Sequence, residues 1–344
     1  MDRRVFLKTM AAGGAGLALS GFRFPASEDG RRRTTRLQQE SLLPASAATS
    51  APCLFGAYVN PFGGDQTAAV AAFETLIGRP LAITRHYLTW NISLTTSNIK
   101  KSAAAGHIPY LAWHATTKGN TAVPWSSIAS GSQDAWIVTQ ANALRAAGFP
   151  VYLAFHHEPE DDLANGTPAD FAAAYDHVRA VFDAEGVTNA TWIVTLMATT
   201  YGGGHKGYAA WMPSGVDLLG VDGYNRHPCI SSPQKHPWNS FETIFTDAHD
   251  VAVSTGIPLF VGENGCVEQY DCGNTLGDPN AKAQWLADEC ATLRSWPEVK
   301  GVLYSHTTCR HNGYMMEYRV DSSAPSLAAY SAFGQDPNFL AASP

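Results

Sequence analysis

The sequence predicts a single (β/α)8 barrel, an expectation carried by three observations. Eight short β-rich segments recur from residue 54 onward, Ala-rich helical stretches alternate with them, and polar and aromatic residues gather where the β segments end. Most of the β segments are continuous apolar runs rather than strict alternations. That is the pattern of parallel strands covered by helices.

Taken in order, the strands are expected over 54–60, 81–90, 108–115, 151–158, 190–198, 217–225, 258–264 and 299–307. Helices are expected over 66–78, 95–106, 132–148, 168–186, 239–256 and 280–296, with a short one near 206–213 and a last one near 323–334. Thr167-Pro168 with Asp170 in the first turn marks a helix start, and Gly148, Gly186 and Gly256 mark stops. A doubly wound open sheet shares this alternation, but no GxGxxG follows the first strand. Gly202-Gly203-Gly204 is a loop signal without the spacing of a phosphate cradle.

The chain has 344 residues, 45% of them hydrophobic, the composition of a globular protein large enough for one such barrel. Residues 1–50 differ in kind. Asp2-Arg3-Arg4-Val5-Phe6-Leu7-Lys8 precedes a weakly apolar run from Met10 to Leu19, the layout of a twin-arginine export signal. That run is about half the roughly 20 residues a membrane span needs. The polar stretch that follows, with Arg31-Arg32-Arg33 and an Ala/Ser/Thr/Pro-rich end, reads as cleavage region and linker, leaving 51–344 as the barrel of a secreted or cell-envelope protein. Of 23 Lys/Arg and 30 Asp/Glu, eight and four lie in residues 1–50, so 51–344 keep 15 and 26 and a formal charge of −11. This argues against nucleic acid and anionic membrane as partners.

The six cysteines, Cys53, Cys229, Cys266, Cys272, Cys290 and Cys309, all fall in the part expected to be exported, which makes disulfides the default. Fifteen connectivities are open, and the pairing singled out is Cys53 with Cys290. No CxxC pair is present to suggest zinc.

In a (β/α)8 barrel the C-terminal ends of the strands build the site. Here they carry Tyr58 and Asn60; Arg85, His86 and Trp90; Trp113 and His114; His156, His157 and Glu158; Asp222, Tyr224 and Asn225; Glu263 and Asn264; and His306. Helix-facing positions show nothing comparable. Glu158 and Glu263 each end an apolar strand, and two such carboxylates are what cleavage of a glycosidic bond requires. Tyr58, Trp90, Trp113 and Trp238 are candidates to stack on sugar rings, and His86, His114, Asp222 and His306 to bond sugar hydroxyls. HExxH and its reverse are absent, so the histidines are read as substrate contacts and no metal or cofactor is expected. No GxSxG signals a serine nucleophile.

A Glu ending strand four and another ending strand seven resembles clan A of the glycoside hydrolases. His157-Glu158 together with Tyr224 narrows the resemblance to glycoside hydrolase family 26, the mannanase-like family, from about residue 53 to the end. The resemblance implies Glu158 as acid/base and Glu263 as nucleophile of a retaining mechanism, with His157 and Tyr224 supporting them; Arg85, at the end of strand two, is read from its position as a partner of Glu263 or as a structural ion pair in the barrel. It implies a monomeric enzyme acting on mannan or another β-linked polysaccharide. Two stretches depart from the family. After Glu158 the chain reads Pro159-Glu160-Asp161-Asp162 instead of Met-Asn-Gly, and strand eight carries Tyr304-Ser305-His306 where a Trp is common. Both departures fall on substrate contacts. A polysaccharide-binding barrel without catalysis and a metal-dependent glycan deacetylase are the alternatives from other classes.

Overall fold

The computed structural model describes residues 52–226, 237–269, 277–311 and 314–341. The expected export signal and linker lie outside them, as do Cys229 and Cys272. Eight strands form one parallel sheet: β1 (Cys53–Val59), β2 (Ile83–Thr89), β3 (Ile108–His114), β4 (Val151–Phe155), β5 (Ala190–Met197), β6 (Leu218–Asp222), β7 (Leu259–Asn264) and β8 (Val299–His306). Each pairs with the next, and β1 pairs with β8 from Leu54↔Gly301 to Val59↔His306, which closes the barrel. Between the strands run α1 (Gln66–Ile77), α2 (Ser97–Ala104), α3 (Trp125–Ala129), α4 (Asp134–Ala147), α5 (Pro168–Ala184), α6 (Ala198–Tyr201), α7 (Phe241–Thr255) and α8 (Ala281–Ser295). A hairpin of β9 (Thr308–His311) and β10 (Tyr314–Glu317), then α9 (Ala324–Gln335) and β11 (Phe339–Leu340), complete the chain. No helix among the described residues is long and apolar enough to cross a membrane.

The strands bury both faces. Leu54, Ile83, Tyr110, Ala154, Phe260 and Leu303 fill the barrel interior, whereas Phe55, Leu111, Trp113, Val194 and Val302 pack outward against the helices. Burying such side chains contributes about 1.5–3 kcal/mol each, which is why the strands read as unbroken apolar runs. The expected helix signals act as caps: Thr167 and Asp170 form a reciprocal capping box at the start of α5, and Gly148 and Gly256 take the left-handed conformation at φ 74° and 70°.

The differences from expectation are local. The helix expected near 206–213 is one 3-10 turn, Tyr208–Ala210, and α6 lies earlier, continuing directly from β5. The short α3, the β9–β10 hairpin and β11, which pairs with the base of β1, have too few residues to impose a periodicity. β4 stops at Phe155 because His156 and Glu158 adopt left-handed backbone, φ 50° and 49°. The Cys53–Cys290 bridge is not formed. All four described cysteines are free: the Cys53 thiol lies in β1 against the Leu54 carbonyl, and Cys290 on α8 faces Asp336.

Candidate active site

Glu263 ends β7 in the barrel mouth, 7% exposed, and is held on both oxygens. Its Oε1 accepts from Tyr87 Oη at 2.8 Å, pairs with Arg85 Nη2 at 2.7 Å and lies 3.5 Å from His157 Nε2. Its Oε2 accepts from the Tyr224 hydroxyl, which also lies 2.8 Å from Ser305 Oγ. Arg85 is fully buried and anchored: Nη1 donates to the Gly262 carbonyl at 2.6 Å and Nη2 pairs with Asp222 at 3.2 Å. Position 262 has to be glycine for this, because a Cβ there would meet Asp222 Oδ1 at 2.6 Å and Arg85 Nη1 at 3.1 Å. Burial disfavours the guanidinium charge, but Asp222 and Glu263 outweigh it and hold Arg85 protonated well above its ordinary range.

At the end of β4 the surroundings are different. Glu158 is half-buried, and no hydrogen-bond donor among the described residues reaches its carboxylate. One buried guanidinium already serves two carboxylates. A third charge is therefore unfavourable: burial, then repulsion from Glu263, Asp222 and Asp161, push the Glu158 carboxyl well up, with Arg85 opposing. The two left-handed residues that aim this turn cost about 1–3 kcal/mol each and persist only where surrounding contacts hold them. Here His156 N bonds the Trp113 carbonyl at 2.8 Å and Glu158 N the Thr195 carbonyl at 2.9 Å, tying the turn to β3 and β5.

Beside Glu158, Asp162 gathers His156 Nε2 at 3.0 Å and His114 Nδ1 at 3.6 Å, and His114 packs edge-on against His157. These bonds hold Asp162 below the usual carboxylate range. His114, His156 and Asp162 have the spacing of metal ligands, as do His157, Asp222 and Glu263. Neither set fits a cation well. His156 Nδ1 accepts from Ala115 N at 3.2 Å and Trp125 Nε1 at 3.1 Å, so its proton sits on Nε2, the atom a metal would need. The second set already holds Arg85 at its centre.

An open cavity of about 380 Å³ adjoins this turn, lined by Glu158, Met197–Thr199 after β5, Asp222–Tyr224, and Asn239, Thr243 and Asp247 at the start of α7. Tyr58 and Tyr87 meet edge-on, their ring centroids 4.8 Å apart.

Of the residues singled out from sequence, Glu158, Glu263, His157, Tyr224, Arg85, Asp222, Tyr58 and His114 converge here. Five do not. Trp90 and Trp113 stack on each other at 4.4 Å, 5% and 0% exposed, and belong to the outer core. His86 faces α1 and α2, where it bonds Thr84. His306 packs on Phe73 of α1 and accepts from Val320 N at 3.2 Å. Trp238 packs on the helix-side core, while its neighbours Pro237 and Asn239 line the cavity. Sequence reading missed Tyr87 and Ser305. The two-residue period could have found them: with Arg85 inward, Tyr87 is inward and His86 outward, and with Leu303 inward, Ser305 is inward and His306 outward.

The molecule is thus a (β/α)8 barrel whose open end brings together carboxylates from β4, β6 and β7 around one arginine. Its solved structural likenesses are glycoside hydrolase family 26 endo-β-mannanases. The catalytic domain of a Bacillus sp. JAMB-750 family 26 endo-β-1,4-mannanase superposes with a TM-score of 0.61 at 16% identity over 85% of this chain and 88% of that one. A modular Cellulomonas fimi endo-β-1,4-mannanase gives 0.56 at 17% identity over 84% and 72%. In sequence, the chain is 26% identical over 280 residues to Endoglucanase H of Acetivibrio thermocellus, which is 76% of this chain and 28% of that protein. The chain therefore spans little more than a quarter of that relative. No family model matches the sequence.

Proposed function

We propose that this protein is an exported retaining glycoside hydrolase that cleaves β-linked polysaccharide, mannan or another β-glycan, with Glu263 as nucleophile and Glu158 as acid/base. The observation that carries the reading is the contrast between the two carboxylates: Glu263 is held by Arg85, Tyr87 and Tyr224, whereas burial and like charge push the Glu158 carboxyl well up, towards its neutral form. Glu263 attacks the anomeric carbon while Glu158 protonates the leaving oxygen, and Glu158, now ionised, takes a proton from the water that releases the sugar. His157 next to Glu263, and Tyr58, are the substrate contacts this assigns nearest the reacting carbon. The solved neighbours are named as mannanases and the sequence relative as an endoglucanase, so β-linked mannan and glucan head the substrate list. Twin-arginine export fits a polymer met outside the cytoplasm.

The test is reducing-end release by the mature protein on mannan, glucomannan, xylan, mixed-linkage β-glucan, arabinan and chitin, with Glu158→Ala and Glu263→Ala alongside. Activity on one polymer, lost in both variants, is expected. Full activity in either variant would reassign the roles, and binding without hydrolysis across the panel would make the barrel a binding module.

A further inference from the structure

We infer that Tyr87 is a positioning residue that, with Arg85, fixes Glu263 Oε1 as the carbonyl oxygen of the covalent intermediate and so makes Oε2 the attacking atom. The inference rests on the retaining mechanism proposed above and goes beyond it by assigning the two oxygens and adding a residue. A carboxylate oxygen has two in-plane lone pairs. On Oε1 both are taken, by Arg85 Nη2 at 2.7 Å and Tyr87 Oη at 2.8 Å, with His157 Nε2 a further 3.5 Å neighbour. Both donors are oriented by their neighbours. Arg85 is fully buried and tied to the Gly262 carbonyl and Asp222, and Tyr87, 40% exposed at the barrel mouth, is flanked by the Tyr58 ring at 4.8 Å, the His157 ring at 5.4 Å and the Arg85 guanidinium at 4.9 Å.

Among the described residues Oε2 accepts from Tyr224 alone, and that hydroxyl has a second partner, Ser305 Oγ, at 2.8 Å. One in-plane lone pair of Oε2 is therefore open for attack, and turning the Tyr224 hydroxyl to Ser305 would release the second without leaving the hydroxyl unbonded. The Oε2–C1 bond then forms as the bond from C1 to the leaving oxygen breaks. That bond's electron pair goes to the leaving oxygen, which takes its proton from Glu158. Tyr87 keeps its bond to Oε1 throughout, so its contribution is orientation of the carboxylate plane.

Tyr87→Phe removes the hydroxyl and keeps the ring. On the polymer the wild type cleaves, kcat/KM is expected to fall about 10- to 100-fold, the range for a hydrogen bond to a charged group, almost wholly in kcat. The melting temperature should be unchanged. A wild-type kcat, or a loss that falls in KM with kcat unchanged, overturns the inference. Inactivity of the wild-type protein, or activity surviving Glu263→Ala, is failure of the proposed function instead. The positioning claim is read separately, in crystal structures of wild type and Tyr87→Phe. A Glu263 carboxylate that rotates away from the Arg85 fork supports it, and one that keeps its plane overturns it whatever the activity.

Discussion

Glu158 and Glu263 are the same side chain at the ends of two strands of one barrel, yet their surroundings have opposite character. Around Glu263, β2 supplies Arg85 and Tyr87, β6 leads to Tyr224, and Ser305 of β8 holds Tyr224 in turn. Around Glu158 there is a strained turn, an edge of open cavity and three other carboxylates. Donors favour the charged form of a carboxyl, and desolvation with like charge favours the neutral one. A single guanidinium paired with Glu263 therefore gives two glutamates of one barrel mouth opposite electrostatic surroundings, as the proposed nucleophile and acid/base require.

The sharpest way to break this comparison is to remove the charge at each end in turn. Glu263→Gln should lower kcat by about 10⁴-fold or more whatever the leaving group. Glu158→Gln should cost about 10²- to 10⁴-fold on polymer, but far less on an aryl glycoside whose phenol leaves without a proton. Equal losses of the two variants on both substrates would mean the environments do not set the roles. The activity of the wild type should also fall as pH rises through the elevated Glu158 pKa, because the acid form is then lost.

A smaller effect is expected in stability. Arg85→Met leaves Asp222 and Glu263 buried without their counter-charge and should destabilise the fold by about 3–5 kcal/mol in a denaturant titration. The same change at an exposed pair such as Arg319–Asp321 should move the midpoint little. The most gradual effect concerns three buried histidines, two of them off the site. Burial pushes His86, His156 and His306 down from 6.5 to about 4, so each is neutral in the fold and takes a proton on unfolding. Stability should therefore be full above about pH 6.5 and decline towards pH 4 with a slope approaching three protons. His86→Gln and His306→Gln should each flatten that slope without changing kcat/KM. A change in kcat/KM would return either residue to the site.

Much of the site was legible because barrel strands announce their ends: an apolar run that stops at His157-Glu158 or Gly262-Glu263 names the rim residue directly. Trp90, Trp113, His86 and His306 were misplaced because a tryptophan or histidine near a strand end carries no mark of the face it takes. Only the phase of the two-residue period decides that, and in strands buried on both sides hydrophobicity does not reveal the phase. Tyr87 was missed for the same reason, one residue from His86.

The repeat of strand and helix, the helix caps and the two rim glutamates follow from local chemistry, because backbone hydrogen bonding and burial of apolar runs act within a segment. Which residues face the mouth, and that Arg85 pairs with Asp222 and Glu263 across 137 and 178 positions of chain, follow from closing β1 onto β8. Closure sets every strand's phase and brings charges from β2, β6 and β7 to hydrogen-bond distance, and no segment holds that information alone. Glu158 and Glu263 acquire their different environments only there.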